Sequence, residues 1–221
     1  LCLANEADIE LAAEALVEGL PVASGFANFY AIFTRADAAT VGQMNVWKGR
    51  PPSQTGSIST TTLRIPTLFD FAQLPPTLTE KRVLDVMEAF LNRGPIGFRG
   101  PAAADIPLHM TGKDGDYLTA QTIVAGYRCP SNKLIARAIE QVPERYLYIT
   151  SANLSHHRTG IEEPAHWKPA PLIFDFRHIV NLQLIRHESE NVAHENYPGY
   201  AEMSTTVLSF HRPAVIEGRP A

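Results

Sequence analysis

The alternation of apolar and polar positions divides the chain into short helical and extended runs. Residues 6–20 are rich in Ala and Glu, with Leu11, Ala15 and Leu16 at helical spacing and Gly19 as a stop, which predicts a helix. Residues 21–24 and 29–34 read as short strands around a turn containing Gly25 and Asn28. A second helix is expected over 37–47, with Lys48 and Arg50 at its C-terminal edge, where cations suit the helix dipole. Thr77-Leu78-Thr79-Glu80 has the form of a capping box before a stripe of Val83, Met87, Phe90 and Leu91. Ser131 is placed to cap a helix carrying Leu134, Ile135, Ala138, Ile139 and Val142. Further strands are expected at 62–65, 121–127, 146–150, 171–174, 179–185, 205–210 and 214–216. Helices and strands thus alternate along one α/β domain spanning 1–221. Their uneven spacing favours an open, mixed sheet over a regular parallel one.

Composition narrows the class. A chain of 221 residues with 45% hydrophobic and 19% charged residues has enough apolar surface to fold without disulfides or metal. Its net charge of −4 excludes bulk attraction to nucleic acid, so any RNA contact must come from a local basic patch. Two cysteines, Cys2 and Cys129, are too few for a disulfide framework or a self-contained zinc site. No apolar run approaches a bilayer span, and the first six residues lack the basic region of a signal peptide. The expected setting is cytoplasmic, away from membranes.

Generic catalytic signatures are missing. There is no Walker-type phosphate loop, glycine-rich dinucleotide fingerprint or G-x-S-x-G elbow. His156-His157 reads as a solvated loop pair and Cys129 as a buried structural thiol, so no metal ligand or catalytic nucleophile is assigned. What remains is a set of short polar segments, each directly after a strand or helix: Lys48-Gly49-Arg50-Pro51, Arg128-Cys129-Pro130, Ser151-Ala152-Asn153-Leu154-Ser155 and Ser204-Thr205-Thr206-Val207. Ligands of open α/β sheets collect at strand ends, and Lys or Arg there suits phosphate or carboxylate. Taken singly, the structural reading wins: Lys48 and Arg50 as a charged helix end, Ser151 and Asn153 as turn formers, Ser204 as a strand-edge hydroxyl.

Taken together and in order, the segments resemble the YrdC-like family, the threonylcarbamoyl-AMP synthases. Lys48-Gly49-Arg50-Pro51 looks like its K-x-R-P element, and Arg128-Cys129-Pro130 like its R-x-P. Thr150-Ser151-Ala152-Asn153-Leu154-Ser155 matches T-S-A-N-x-S, and Ser204-Thr205-Thr206-Val207 stands where the family has P-S-T-[VI]. Gly94-Pro95-Ile96-Gly97 is similar to P-G-P-[LF]-T without the final Thr. At 25–32, where the family carries P-T-[ED]-T-x-Y-G-L, only Tyr30 matches, and Phe26 and Asn28 replace both threonines. No histidine follows Arg50, His156 replaces a common Gly, and Val215-Ile216-Glu217-Gly218 lacks the family's arginine.

The resemblance implies an open twisted sheet with a large basic concavity. It implies an enzyme joining L-threonine or a related amine, bicarbonate and ATP, with Mg²⁺ on the nucleotide, into a carbamoyl-adenylate for tRNA adenosine modification. Lys48 and Arg50 would hold phosphate or carboxylate, and Arg128 would clamp the amino-acid carboxylate. Tyr30, Ser151, Asn153, Ser155 and Ser204 would complete the ligand site. The alternative is a module that binds nucleotide or double-stranded RNA without the synthase reaction. Phe26 and Asn28 are expected to alter the ligand wall and weaken turnover with threonine.

Overall fold

The computed structural model describes residues 1–161, 163–197 and 205–211. Helix α1 (Glu6–Val17) starts at Asn5, whose side chain accepts from the amides of Ala7 and Asp8. It buries Ile9, Ala12, Ala13, Ala15 and Leu16, while Leu11 stands 54% exposed. The expected stripe was therefore rotated: the inward face steps from Ile9 through the alanines to Leu16 and leaves Leu11 outside. Strands β1 (Val22–Phe26) and β2 (Phe29–Arg35) form a hairpin, with Ala27 at φ 53° in its turn. Asp37 caps α2 (Ala38–Trp47) by accepting from the Thr40 amide, and Lys48 closes that helix.

After β3 (Ser57–Ser59), the expected strand at 62–65 is instead a 3₁₀ segment, Thr62–Leu68. Pro66 within it has no N–H to give a ladder. Helix α3 (Glu80–Leu91) is capped by Thr79, not by the expected box beginning at Thr77, and Phe90 is 37% exposed beside buried Val83, Met87 and Leu91. Strands β4 (Ile96–Pro101), β5 (Thr111–Asp114) and β6 (Tyr117–Val124) follow. Helix α4 (Ser131–Gln141) begins after Pro130, and Ser131 is a buried first-turn residue rather than a cap.

Then come β7 (Leu147–Ser151), the single turn α5 (His156–Thr159) and α6 (Pro169–Phe176). The expected strand at 171–174 lies inside α6, because a proline at the first turn suits a helix start and Leu172 and Phe176 bury on one face. Strand β8 (Gln183–Ile185), helix α7 (Glu190–Glu195) and β9 (Val207–Ser209) complete the described chain. Ser204 and the expected strand at 214–216 lie outside the described residues.

Nine strands among the described residues form one mixed sheet, in the order β8-β1-β2-β7-β3-β6-β4-β9, with β5 also on β6. The pairs β1–β8, β3–β6 and β4–β9 are parallel and the others antiparallel. One face packs Tyr30, Ile32, Ile58, Phe98 and Tyr148 against α2, α3 and α6. The other packs Phe26, Phe29, Phe33, Leu147 and Ile149 against α1 and α4. No described helix is long and apolar enough to cross a membrane.

Candidate ligand site

A hollow opens beside Phe29, Ala31 and Ile149, residues of the face that packs α1 and α4. Register sets Ala31 opposite Ser151, Ser57 opposite Ile149 and Arg99 opposite Gln121, and residues of six strands, β2, β3, β4, β6, β7 and β9, line this hollow. The cavity measures about 420 Å³, within the usual range for small-molecule sites. Its polar lining includes Arg50, Arg99, Gln121, Ser57, Thr150, Ser151 and Thr205, and no carboxylate lines it among the described residues. A smaller hollow of about 350 Å³ shares Ser57, Arg99 and Gln121 and runs on to Lys113 and Asp114.

Arg50 donates from Nη1 to Thr150 Oγ1 at 3.0 Å, which fixes its head at the end of β7. Lys48 takes a different place. Its side chain is fully buried, and Nζ donates to Thr150 Oγ1 (3.0 Å), the Ser151 carbonyl and Asn153 Oδ1 (3.5 Å). Three acceptors match the three donors of an ammonium. Burial and the neighbouring Arg50 charge nevertheless push its pKa well below the ordinary lysine value. Ser151 Oγ donates to Asn153 Oδ1, and Asn153 Nδ2 donates to the Glu163 carbonyl at 2.8 Å. The Thr-Ser-Ala-Asn turn is thus pinned from beneath by Lys48, and it presents Thr150 and Ser151 to the cavity.

Of the residues singled out from sequence, Arg50 and Ser151 line one cavity, and Lys48 and Asn153 support it from below. Ser155 is buried and caps α5, its Oγ accepting from the His157 amide at 3.4 Å. Tyr30 does not reach the hollow. It lies between Phe29 and Ala31, which line it, and its hydroxyl donates to Glu190 Oε1 at 3.0 Å on α7. Desolvation and the Glu190 charge raise its pKa. Arg128 is exposed on an adjacent cavity of about 510 Å³ that also takes in Arg93, His187 and Glu188. Ala27 and Ala125 of that cavity lie two residues beyond Phe29 and Ile123 of the first. The expected single ring of ligands is therefore two neighbouring hollows.

Phe26 lines neither hollow. It packs at a tilt against Phe29 and Phe33, with ring centroids 5.5 and 6.0 Å away, inside the core under α1 and α4. The expectation that its bulk rebuilds the ligand wall is corrected: the bulk goes into the core. The glycine at 97 also has a packing reason. A Cβ there would lie 2.7 Å from Val207 Cγ2 and 2.8 Å from Ile123 Cδ1. Arg99, Gln121 and Ser57 were missed from sequence. No motif marks them, and only the pairing of β4, β6 and β3 brings them together.

No family model and no curated protein matches the sequence. Solved structures do. A double variant of Sua5 from P. abyssi is 19% identical at a TM-score of 0.64, covering 94% of this chain and 54% of that one. Sua5 from P. abyssi complexed with L-threonine is 21% identical at 0.60, covering 82% and 47%. YciO from E. coli is 15% identical at 0.63, covering 96% and 89%. The chain thus has the YrdC-like α/β fold, and it spans about half the length of the Sua5 structures it matches. At these identities the shared property is the fold.

Proposed function

We propose that the chain is a divergent YrdC-like enzyme that binds ATP at the Arg50 cavity and forms a carbamoyl-adenylate from bicarbonate and L-threonine or a related amine. The observation that carries this reading is the convergence of Arg50, Arg99, Thr150 and Ser151 on one hollow that no carboxylate lines among the described residues. The amine would add to bicarbonate with loss of water, giving a carbamate. A carbamate oxygen would then attack the α-phosphorus of ATP, and pyrophosphate would leave. Such a reaction asks the protein for positioning and for stabilisation of charge on the phosphates. Arg50 offers a bidentate fork for a phosphate or carboxylate, and Ser151 a hydroxyl at its side. Mg²⁺ would enter as part of the nucleotide, held by phosphate oxygens, and the adenylate would serve adenosine modification in tRNA.

Pyrophosphate release from ATP, Mg²⁺ and bicarbonate, assayed with each amino acid in turn, tests the reading. Bicarbonate- and amine-dependent release that Arg50→Met abolishes is the expected outcome. Nucleotide binding without release for any amine would favour the second reading, a nucleotide- or double-stranded-RNA-binding module. One observation supports that alternative: Arg128 opens on a different hollow from Arg50, so the two cations do not grip one small ligand. A gel shift with double-stranded RNA, weakening steeply with salt, would support it further.

A further inference from the structure

Four of the described lysines and arginines form ion pairs. Arg35 meets Glu144, Lys133 meets Glu6, Arg137 meets Glu10 and Lys81 meets Asp85. With 23 acidic against 19 basic side chains, carboxylates are in surplus. Among the described residues Arg50 and Arg99, like most of the other basic side chains, form no ion pair, but these two line the same hollow and no carboxylate shares it with them. Two guanidiniums facing one concavity repel each other, and low-dielectric walls sharpen that repulsion.

Arg99 is also held in place. Its Nη2 donates to Gln121 Oε1, and Gln121 Nε2 donates onward to Ser57 Oγ at 2.8 Å. The chain of bonds ties the guanidinium to β6 and β3 and leaves its remaining donors for the cavity. Arg50 is tied to Thr150 on β7. In the sheet, β7 and β6 are separated only by β3, two strand steps or about 10 Å. The cavity therefore has a fixed cation at each side.

We infer that Arg99, held by Gln121 and Ser57, is a second anion subsite, so that the cavity takes a ligand with two anionic groups, one on Arg50 and one on Arg99. A phosphate chain and an α,ω-dicarboxylate share that chemistry. The inference rests on the reading that Arg50 holds an anion, and it adds a specificity-determining residue to that site. A ligand with one charged end would satisfy one guanidinium and leave the other facing it unpaired.

Calorimetric titration of the full chain separates the possibilities. The probes are acetate, succinate and glutarate in one arm, and inorganic phosphate, pyrophosphate and tripolyphosphate in the other. The arm that binds identifies the source of the two charges. Within it, a two-headed probe is expected to bind at least tenfold more tightly than its one-headed counterpart. Arg99→Met should remove that advantage while changing one-headed binding less than about twofold. Gln121→Glu, which sets a carboxylate against Arg99, should remove it equally and covers the case in which Arg99→Met fails to fold. If two-headed probes bind no better than one-headed ones, or keep their advantage in both variants, the second subsite is overturned while anion binding at Arg50 stands. If no probe binds the unaltered chain, the Arg50 reading fails and the inference falls with it.

Discussion

Lys48 carries its amine into the protein with no carboxylate among the described residues to meet it, and that choice is testable through pH. Its pKa is lowered by burial first and by Arg50 second, from an ordinary 10.5. The unfolded chain therefore binds the proton more readily than the folded one. Stability should rise with pH between the lowered folded value and 10.5, because in that window the unfolded state holds more protons. Lys48→Met should flatten this alkaline rise. It should also cost about 1–3 kcal/mol, since the Ser151 carbonyl and Asn153 Oδ1 lose a donor. Urea unfolding of both proteins across a pH series reads out slope and offset together. Sequence pointed to Lys48 through its neighbours Gly49 and Arg50, but spacing along a chain does not show depth. The side chain that looked like a ligand contact turns inward, and it is Arg50, two residues on, that lines the cavity.

Among the elements, α1 shows how an alanine-rich helix conceals its face. Ala12, Ala13 and Ala15 carry little directional hydrophobicity, so Leu11 looked inward although Ile9 and Leu16 define the buried side. Leu16→Ala should cost about 2–5 kcal/mol as a core truncation. Leu11→Ala should stay within about 0.5 kcal/mol as a surface change, and denaturant midpoints of the pair compare them directly. Strand β9 offers a second case. It adds to β4 in parallel through three residues, and Val207 fills the space above Gly97. Gly97→Thr, which restores the residue expected from the family resemblance, should cost about 1–3 kcal/mol by overpacking. It should also speed amide exchange at 207–209. The strands with clear alternation were legible from sequence. The run at 62–65 and the segment at 171–174 were not, because Pro66 and the prolines at 169 and 171 decide their conformation against their apolar content.

At the scale of the molecule, an open mixed sheet could be expected from the alternating elements, but its order could not, because β3, β4 and β5 were not among the expected strands. The site followed only in part. Motif residues supplied Arg50 and Ser151, whereas Arg99, Gln121 and Ser57 belong to three strands whose neighbourhood exists only in the folded register. That register also sends Tyr30 to the far face and Arg128 to the adjoining hollow. A chain of net charge −4 has little long-range attraction for a nucleotide, so the proposed nucleotide binding would rest on these local guanidiniums. Calorimetric titration of ATP with Mg²⁺ into the unaltered chain, Arg50→Met and the surface control Lys81→Met tests this most directly. Arg50→Met should lose about 1.5–3 kcal/mol of binding, roughly 10- to 150-fold in affinity, while Lys81→Met binds as the unaltered chain does. Equal affinity in all three proteins would contradict the placement of the ligand at Arg50.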